Sequence, residues 1–264
     1  MTIPGNTLEE QKERWDELLY PGTQTLRNKF RETDYDTLEF LTDYAVAAAW
    51  ARIPQGGFGF SSLADELSKT HEVLFSEVFD WAGHFRDVPM TKQGVSFAPW
   101  TEVVPQLEAL DEYIRSSDWD NLAPEEVQSA LADVHTELNI IHPFREGNGR
   151  ATRAVMGHLA DQNGFNIDWE EAGPALNMVS AVSAASPRHS EDSLMPMRLL
   201  YAEIATPVSF NAEESDFRAG QEILSLVEPA APHSTGTPEH SANSPAEAVT
   251  THENGDESAA GLEQ

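Results

Sequence analysis

Twelve consecutive residues, His142-Pro143-Phe144-Arg145-Glu146-Gly147-Asn148-Gly149-Arg150-Ala151-Thr152-Arg153, bring an imidazole, a carboxylate, a glycine-rich turn and two guanidinium groups within reach of one small ligand. His142 is a candidate base. Gly147, Asn148 and Gly149 tolerate the backbone angles of a tight loop, and where such a loop runs into a helix its consecutive free amides and the helix dipole make an anion site. Arg150 and Arg153, three residues apart on the first turn of that helix, can address the same polyphosphate. Glu146 stands where a hard cation such as Mg²⁺ would meet those phosphates. Taken singly, a Gly-Asn-Gly turn or a His beside Pro is ordinary structure. A His and a Glu four apart can also be half of a zinc site, but no Cys or closely spaced His completes that ligand set. What points to chemistry is the coincidence of base, acid, glycines and arginines in one loop-to-helix unit.

That unit needs a helix on each side. Val127, Leu131, Val134, Leu138 and Ile141 recur at intervals of three and four, so residues 124–141 are expected to form an amphipathic helix with one buried stripe. Pro143 ends it and leaves His142 at its C-terminal edge. Phe144 is expected to anchor the loop in the core. A second helix is expected over residues 150–163, closed by Gly164.

HPFREGNGRATR fits the Fic signature HPFx(D/E)GNGRxxR at every specified position. The chain thus resembles a family whose members mostly transfer the AMP part of ATP to a hydroxyl side chain of another protein. The resemblance implies that His142 is the catalytic base and that Glu146 holds Mg²⁺. It further implies that the amides of Gly147, Asn148 and Gly149 cradle the phosphates and that Arg150 and Arg153 bind the β and γ phosphates. Another transfer in the same fold, of a different nucleotide or a phosphate group, and a non-catalytic nucleotide-binding module stay open as alternatives.

Elsewhere the chain reads as helical. Residues 37–53, 63–82, 105–116, 170–183 and 190–204 carry helical apolar patterns, which makes the fold class all-α, a helical bundle. Two short alternating runs, Phe85-Arg86-Asp87-Val88 and Val95-Ser96-Phe97, bracket Lys92-Gln93-Gly94 and read as a small β-hairpin over about 84–99. A two-stranded ribbon has a free edge, which suits a surface that receives an extended segment of a partner by strand addition. In Fic proteins the equivalent hairpin is the flap that positions the target, which implies a target-docking role for Lys92, Gln93, Gly94, Val95, Ser96 and Phe97. Tyr20-Pro21-Gly22-Thr23 is a type II turn signal in a lead-in spanning 1–36, and this opening is similar to that of compact bacterial Fic toxins. The other histidines, His71, His84, His135, His158, His189, His233, His240 and His252, read as core or surface residues.

Among 264 residues, 16 basic and 45 acidic side chains leave a net charge of −29, which disfavours nucleic acid and anionic membranes and favours protein partners. With no cysteine, disulfides and thiolate metal sites are excluded. No run of about eighteen apolar residues is present, and the acidic first fifteen residues are not expected to be a signal peptide, which fits a cytoplasmic protein. Residues 1–206 are expected to form the Fic-like domain. Residues 207–264, with eleven acidic residues against Arg218, are expected to be a disordered acidic tail, apart from an apolar pattern over 213–227. Many Fic proteins carry an inhibitory (S/T)xxxE(G/N) helix. Here Glu is followed by Gly or Asn only at Glu146 and Glu253, and His142 and Val249 stand four residues earlier, so no internal inhibitor is expected. The resemblance then implies a toxin restrained by a separate small antitoxin protein, with type II topoisomerase subunits as leading targets.

Overall fold

The computed structural model describes residues 7–92 and 94–208. The calls on Gln93 and on residues 209–264, including the acidic tail and its apolar stretch, lie outside the described residues. Eight helices form the described chain: α1 (Leu8–Glu17), α2 (Tyr35–Trp50), α3 (Leu63–Phe75), α4 (Val103–Ser116), α5 (Pro124–Ile141), α6 (Asn148–Gln162), α7 (Trp169–Ala185) and α8 (Glu191–Ile204). A hairpin of β1 (Thr91–Lys92) and β2 (Val95–Ser96) lies between α3 and α4, and β3 (Phe165–Ile167) pairs antiparallel with β4 (Ala205–Pro207). The all-α reading with a small hairpin holds. None of the described helices is long and apolar enough to cross a membrane.

α5 is the axis of the bundle. Leu131, Val134, Leu138 and Ile141 are fully buried, in the stripe that the spacing predicts, against apolar side chains of α3, α4, α6, α7 and α8. Most helix starts are read locally. Asp34 accepts from the Thr37 amide, Ser62 from Asp65, Asp168 from Glu170 and Glu171, and Ser190 from Ser193. A second core under α2 gathers Leu19, Leu26, Leu38, Val46, Phe75 and Phe79. Gly22 has φ +75° and the Thr23 amide donates to the Tyr20 carbonyl at 3.1 Å, which is the expected turn.

Four expectations shift. The lead-in contains α1, started by a reciprocal cap in which Thr7 and Glu10 each accept from the other's amide. The helical run from Leu63 ends at Phe75, and α7 breaks at Gly173 and Pro174, where a proline removes the amide a continuous helix needs. The boundary expected after Thr206 falls inside β4, whose pairing with β3 brings the chain back beside the end of α6. The Val208 amide continues this contact by donating to the Gly164 carbonyl at 2.8 Å.

The loop between α5 and α6 is held from below by aromatic packing. Phe144 is fully buried, as expected, and stacks on His71 of α3 with ring centroids 3.9 Å apart. His71 accepts from the Gly83 amide at Nδ1, 2.9 Å, so its Nε2 donates to the Glu146 carbonyl, also 2.9 Å. Gly147 has φ +82°, and a Cβ there would lie 2.3 Å from Phe75 Cζ. On α5, buried His135 meets the Tyr201 hydroxyl at 2.8 Å. Burial pushes His71 down to about 4 and His135 down to about 3, so both are neutral in the folded protein.

Two outcomes follow from this packing. Gly147→Ala is expected to lose about 1–3 kcal/mol in urea unfolding, because the methyl group must displace Phe75 in a backbone region hostile to side chains. An unchanged midpoint would contradict that packing. The buried histidines set a pH dependence. Unfolded imidazoles protonate near 6.5 and the folded ones only near 4 and 3, so between these values the unfolded chain binds more protons. Their contribution to stability is present above about pH 6.5 and declines as pH falls towards 4, with a slope of roughly 1.4 kcal/mol per unit for each histidine. In thermal unfolding from pH 7 to 4, His135→Gln is expected to flatten the decline by about that slope.

Candidate active site

α5 ends on His142, whose backbone is left-handed at φ 49°, ψ 63°, while its amide still donates to the Leu138 carbonyl at 3.0 Å. The imidazole lies flat on Phe97, just past β2, with centroids 3.7 Å apart and planes 9° apart. Burial pushes its pKa down to about 3; the Asn139 carbonyl opposes this, and the charges of Arg86 and Lys92 add to it. Nδ1 is buried and has no well-formed hydrogen bond among the described residues.

Below His142 the loop turns into α6. Asn148 is buried, with its side chain directed into the loop: Oδ1 accepts from the Phe144 amide and Nδ2 donates to the Phe144 carbonyl, each at 2.8 Å. Glu146 Oε1 accepts from the Gly147 amide at 2.8 Å. The Gly147 amide of the expected Gly147–Gly149 cradle is thus taken, while the amides of Asn148, Gly149 and Arg150, at the start of α6, have no acceptor among the described residues. The Asn148 side chain is thus engaged within the loop, and Gly147, with φ +82°, turns it.

The two arginines line different cavities. Arg153, with no ion pair or hydrogen bond among the described residues, lines a cavity of about 420 Å³ with His142, Asn139, Lys92 and Phe97. Burial, then the charge of Arg150, lowers its pKa from the usual guanidinium value. Arg150 lines an adjoining cavity of about 360 Å³ and crosses the face of Phe75 at 4.9 Å. It pairs with Asp43 of α2 at 2.8 Å and with Glu146 at 3.3 Å. Lys92, His142, Asn148 and Gly149 border both cavities, so both open onto His142. Glu146 is a half-exposed single carboxylate, and no cluster of three potential ligands occurs among the described residues. Such a donor set fits Mg²⁺, which is typically held by one or two carboxylates with substrate phosphates and water. Beside it Arg145 stacks on Trp15 of α1, 3.7 Å from the ring centre.

The hairpin overhangs this floor with Thr91 opposite Ser96 and Lys92 opposite Val95, and Gly94 turns it with φ +83°. Lys92, Val95 and Phe97 wall the first cavity, and Met90, Thr91 and Lys92 the second. Ser96 and Gly94 are exposed. The expected first strand over Phe85–Val88 is displaced to Thr91–Lys92. The Arg86 amide instead donates to the Pro143 carbonyl at 2.8 Å and Phe85 packs on Phe144, so this run is taken up by the motif loop.

Three contributors escaped sequence reasoning. His71 holds the Glu146 carbonyl, and its signal is a polar residue within the apolar stripe Leu67, His71, Leu74. His135 precedes His142 by two helical turns on the same face, a spacing that places it in the lining of the first cavity. Arg86, a charge in an alternating apolar run, donates from Nε to the His142 carbonyl at 2.8 Å.

The Fic/DOC family profile matches residues 61–160. Among named relatives, "Probable protein adenylyltransferase y4lH" of Sinorhizobium fredii is 31% identical over 60% of this chain and 82% of its own length. "Protein adenylyltransferase VbhT" of Bartonella schoenbuchensis is 34% identical over 57% of this chain and 32% of its own. The chain spans about a third of the length of the Bartonella adenylyltransferases it matches. The crystal structure of BepC from Bartonella tribocorum, solved with bound AMPPNP, aligns with a TM-score of 0.62 at 27% identity, over 73% of this chain and 97% of that one. With the motif, the helical bundle and the hairpin in place around His142, the chain belongs to the Fic/DOC family.

Proposed function

We propose that the chain is a protein adenylyltransferase that uses ATP to modify a hydroxyl side chain of another protein. The observation that carries this is a neutral imidazole, His142, at the junction of two cavities, beside three unpaired amides and the unpaired guanidinium of Arg153. The α phosphate of ATP takes the amides of Asn148, Gly149 and Arg150, and Arg153 holds the phosphates beyond it. Anionic phosphates beside His142 raise its basicity from the low value of the free protein. The His142 imidazole removes the proton from a Ser, Thr or Tyr hydroxyl, whose oxygen attacks the α phosphorus in line. The bond to the bridging oxygen breaks, pyrophosphate leaves, and AMP stays on the target as a phosphodiester. Glu146 is the residue that would hold Mg²⁺, which when bound supplies positive charge to the phosphates. Arg150 reaches the phosphates by exchanging its carboxylate partners for them.

The target docks on the hairpin by main-chain pairing, which brings its hydroxyl beneath Lys92 and Phe97. The reading extends to a toxin that works where ATP and its targets meet, in the cytoplasm, with type II topoisomerase subunits as targets. Support comes from Arg153, which no carboxylate engages among the described residues, and from the absence of an (S/T)xxxE(G/N) segment in the whole sequence. A separate small antitoxin would supply the missing carboxylate.

His142→Ala is expected to lower label transfer from α-labelled ATP to lysate proteins by about 10²–10⁴-fold, with ATP affinity kept within about threefold, because the imidazole acts on the incoming hydroxyl. Transfer at the wild-type rate would remove His142 from its role. Transfer of label from γ-labelled ATP instead would point to the kinase alternative.

A further inference from the structure

Arg86 is buried, 5% exposed, and has no carboxylate partner among the described residues. Its charge is met by four main-chain carbonyls. Nε donates to His142 at 2.8 Å, one terminal nitrogen to Val88 at 2.9 Å, and the other to Ile141 at 3.1 Å and, at close range, to Ala98. These carbonyls come from three places: the last turn of α5, the chain entering the hairpin, and the chain leaving it. Two main-chain bonds run alongside, from the Arg86 amide to Pro143 at 2.8 Å and from the Ala98 amide to Ile140 at 3.1 Å.

An uncompensated buried cation costs several kcal/mol, and the carbonyls at a helix C-terminus are the negative end of its dipole. A guanidinium fork satisfies them from one fixed plane, and an ammonium group, with three donors on a flexible stem, cannot span the same set. What Arg86 adds is a fixed distance between the base and both feet of the hairpin.

We propose that Arg86 is the positioning residue that sets the docking hairpin in register with His142. It holds the left-handed backbone of His142 from behind while fixing the hairpin at Val88 and Ala98. A strand added to the hairpin edge therefore delivers its hydroxyl at a set height above the imidazole. The role rests on the adenylyltransferase reading for its chemical consequence, but its structural content can be measured without any transfer.

The test uses the full chain with Arg86→Lys and Arg86→Ala, each checked for folding by circular dichroism and for ATP binding by thermal shift. Hydrogen exchange in residues 86–98 and 138–146 is expected to quicken about tenfold or more, with α8 unchanged. Transfer to the target is expected to fall by about 10²-fold, mainly in kcat, with KM for ATP within about threefold. Free guanidinium is expected to restore part of the activity of Arg86→Ala and none of His142→Ala. Unchanged exchange at the hairpin in a folded variant would overturn the proposal. So would ATP affinity lost in step with kcat, or the failure of both variants to fold, since Arg86 would then serve the fold as a whole. If the wild-type chain transfers no label, the adenylyltransferase reading fails, and the exchange data alone decide the role of Arg86.

Discussion

A loop buried between two helix ends has to satisfy its own polar backbone, and that constraint shapes the region around residues 142–150. The last turn of α5 presents carbonyls without helical donors and the first turn of α6 presents amides without helical acceptors. Much of what lies in between is answered by the chain. Arg86 takes the carbonyls of Ile141 and His142, His71 that of Glu146, and Asn148 both polar groups of Phe144. Glu146 takes the Gly147 amide. At the start of α6 the amides of Asn148, Gly149 and Arg150 have no acceptor among the described residues, and with the Arg153 guanidinium they are donors suited to an anion.

That local positive character sits inside a chain of net charge −29. At physiological ionic strength exposed charges are screened beyond about 8 Å, so a ligand inside the cavity responds to Arg153, Lys92 and the α6 terminus more than to the distant acidic surface. The half-buried position of Arg153 sharpens the effect, because water competes less for it.

The motif and the helix behind it were legible because both are local signals. Proline fixes the end of α5, the apolar period fixes its buried face, and glycines fix the turn. The hairpin was legible in kind but not in register. Phe85–Val88 alternates like a strand, yet its main chain is claimed by the loop through the Arg86 amide and Pro143, a contact between segments far apart in sequence. The same holds for β3 and β4, short pieces that pair across about forty residues, and for His71, which reads as a polar interruption until Glu146 is set beside it. α1 was overlooked although Thr7 and Glu10 spell a capping box, because its acidic sequence offers no apolar stripe.

Residue 145 is the one position that the HPFx(D/E)GNGRxxR pattern leaves open before the glycines, and here it is an arginine seated on Trp15. The two partners stand 145 − 15 = 130 positions apart. A contact of that span forms only after loop-closure entropy has been overcome by nearer contacts. The bundle around α5 can assemble from neighbouring helices, whereas the motif loop gains this last fastening when the first helix folds back across it. The length of chain that this one contact closes makes the fastening of residue 145 depend on α1 being folded in place.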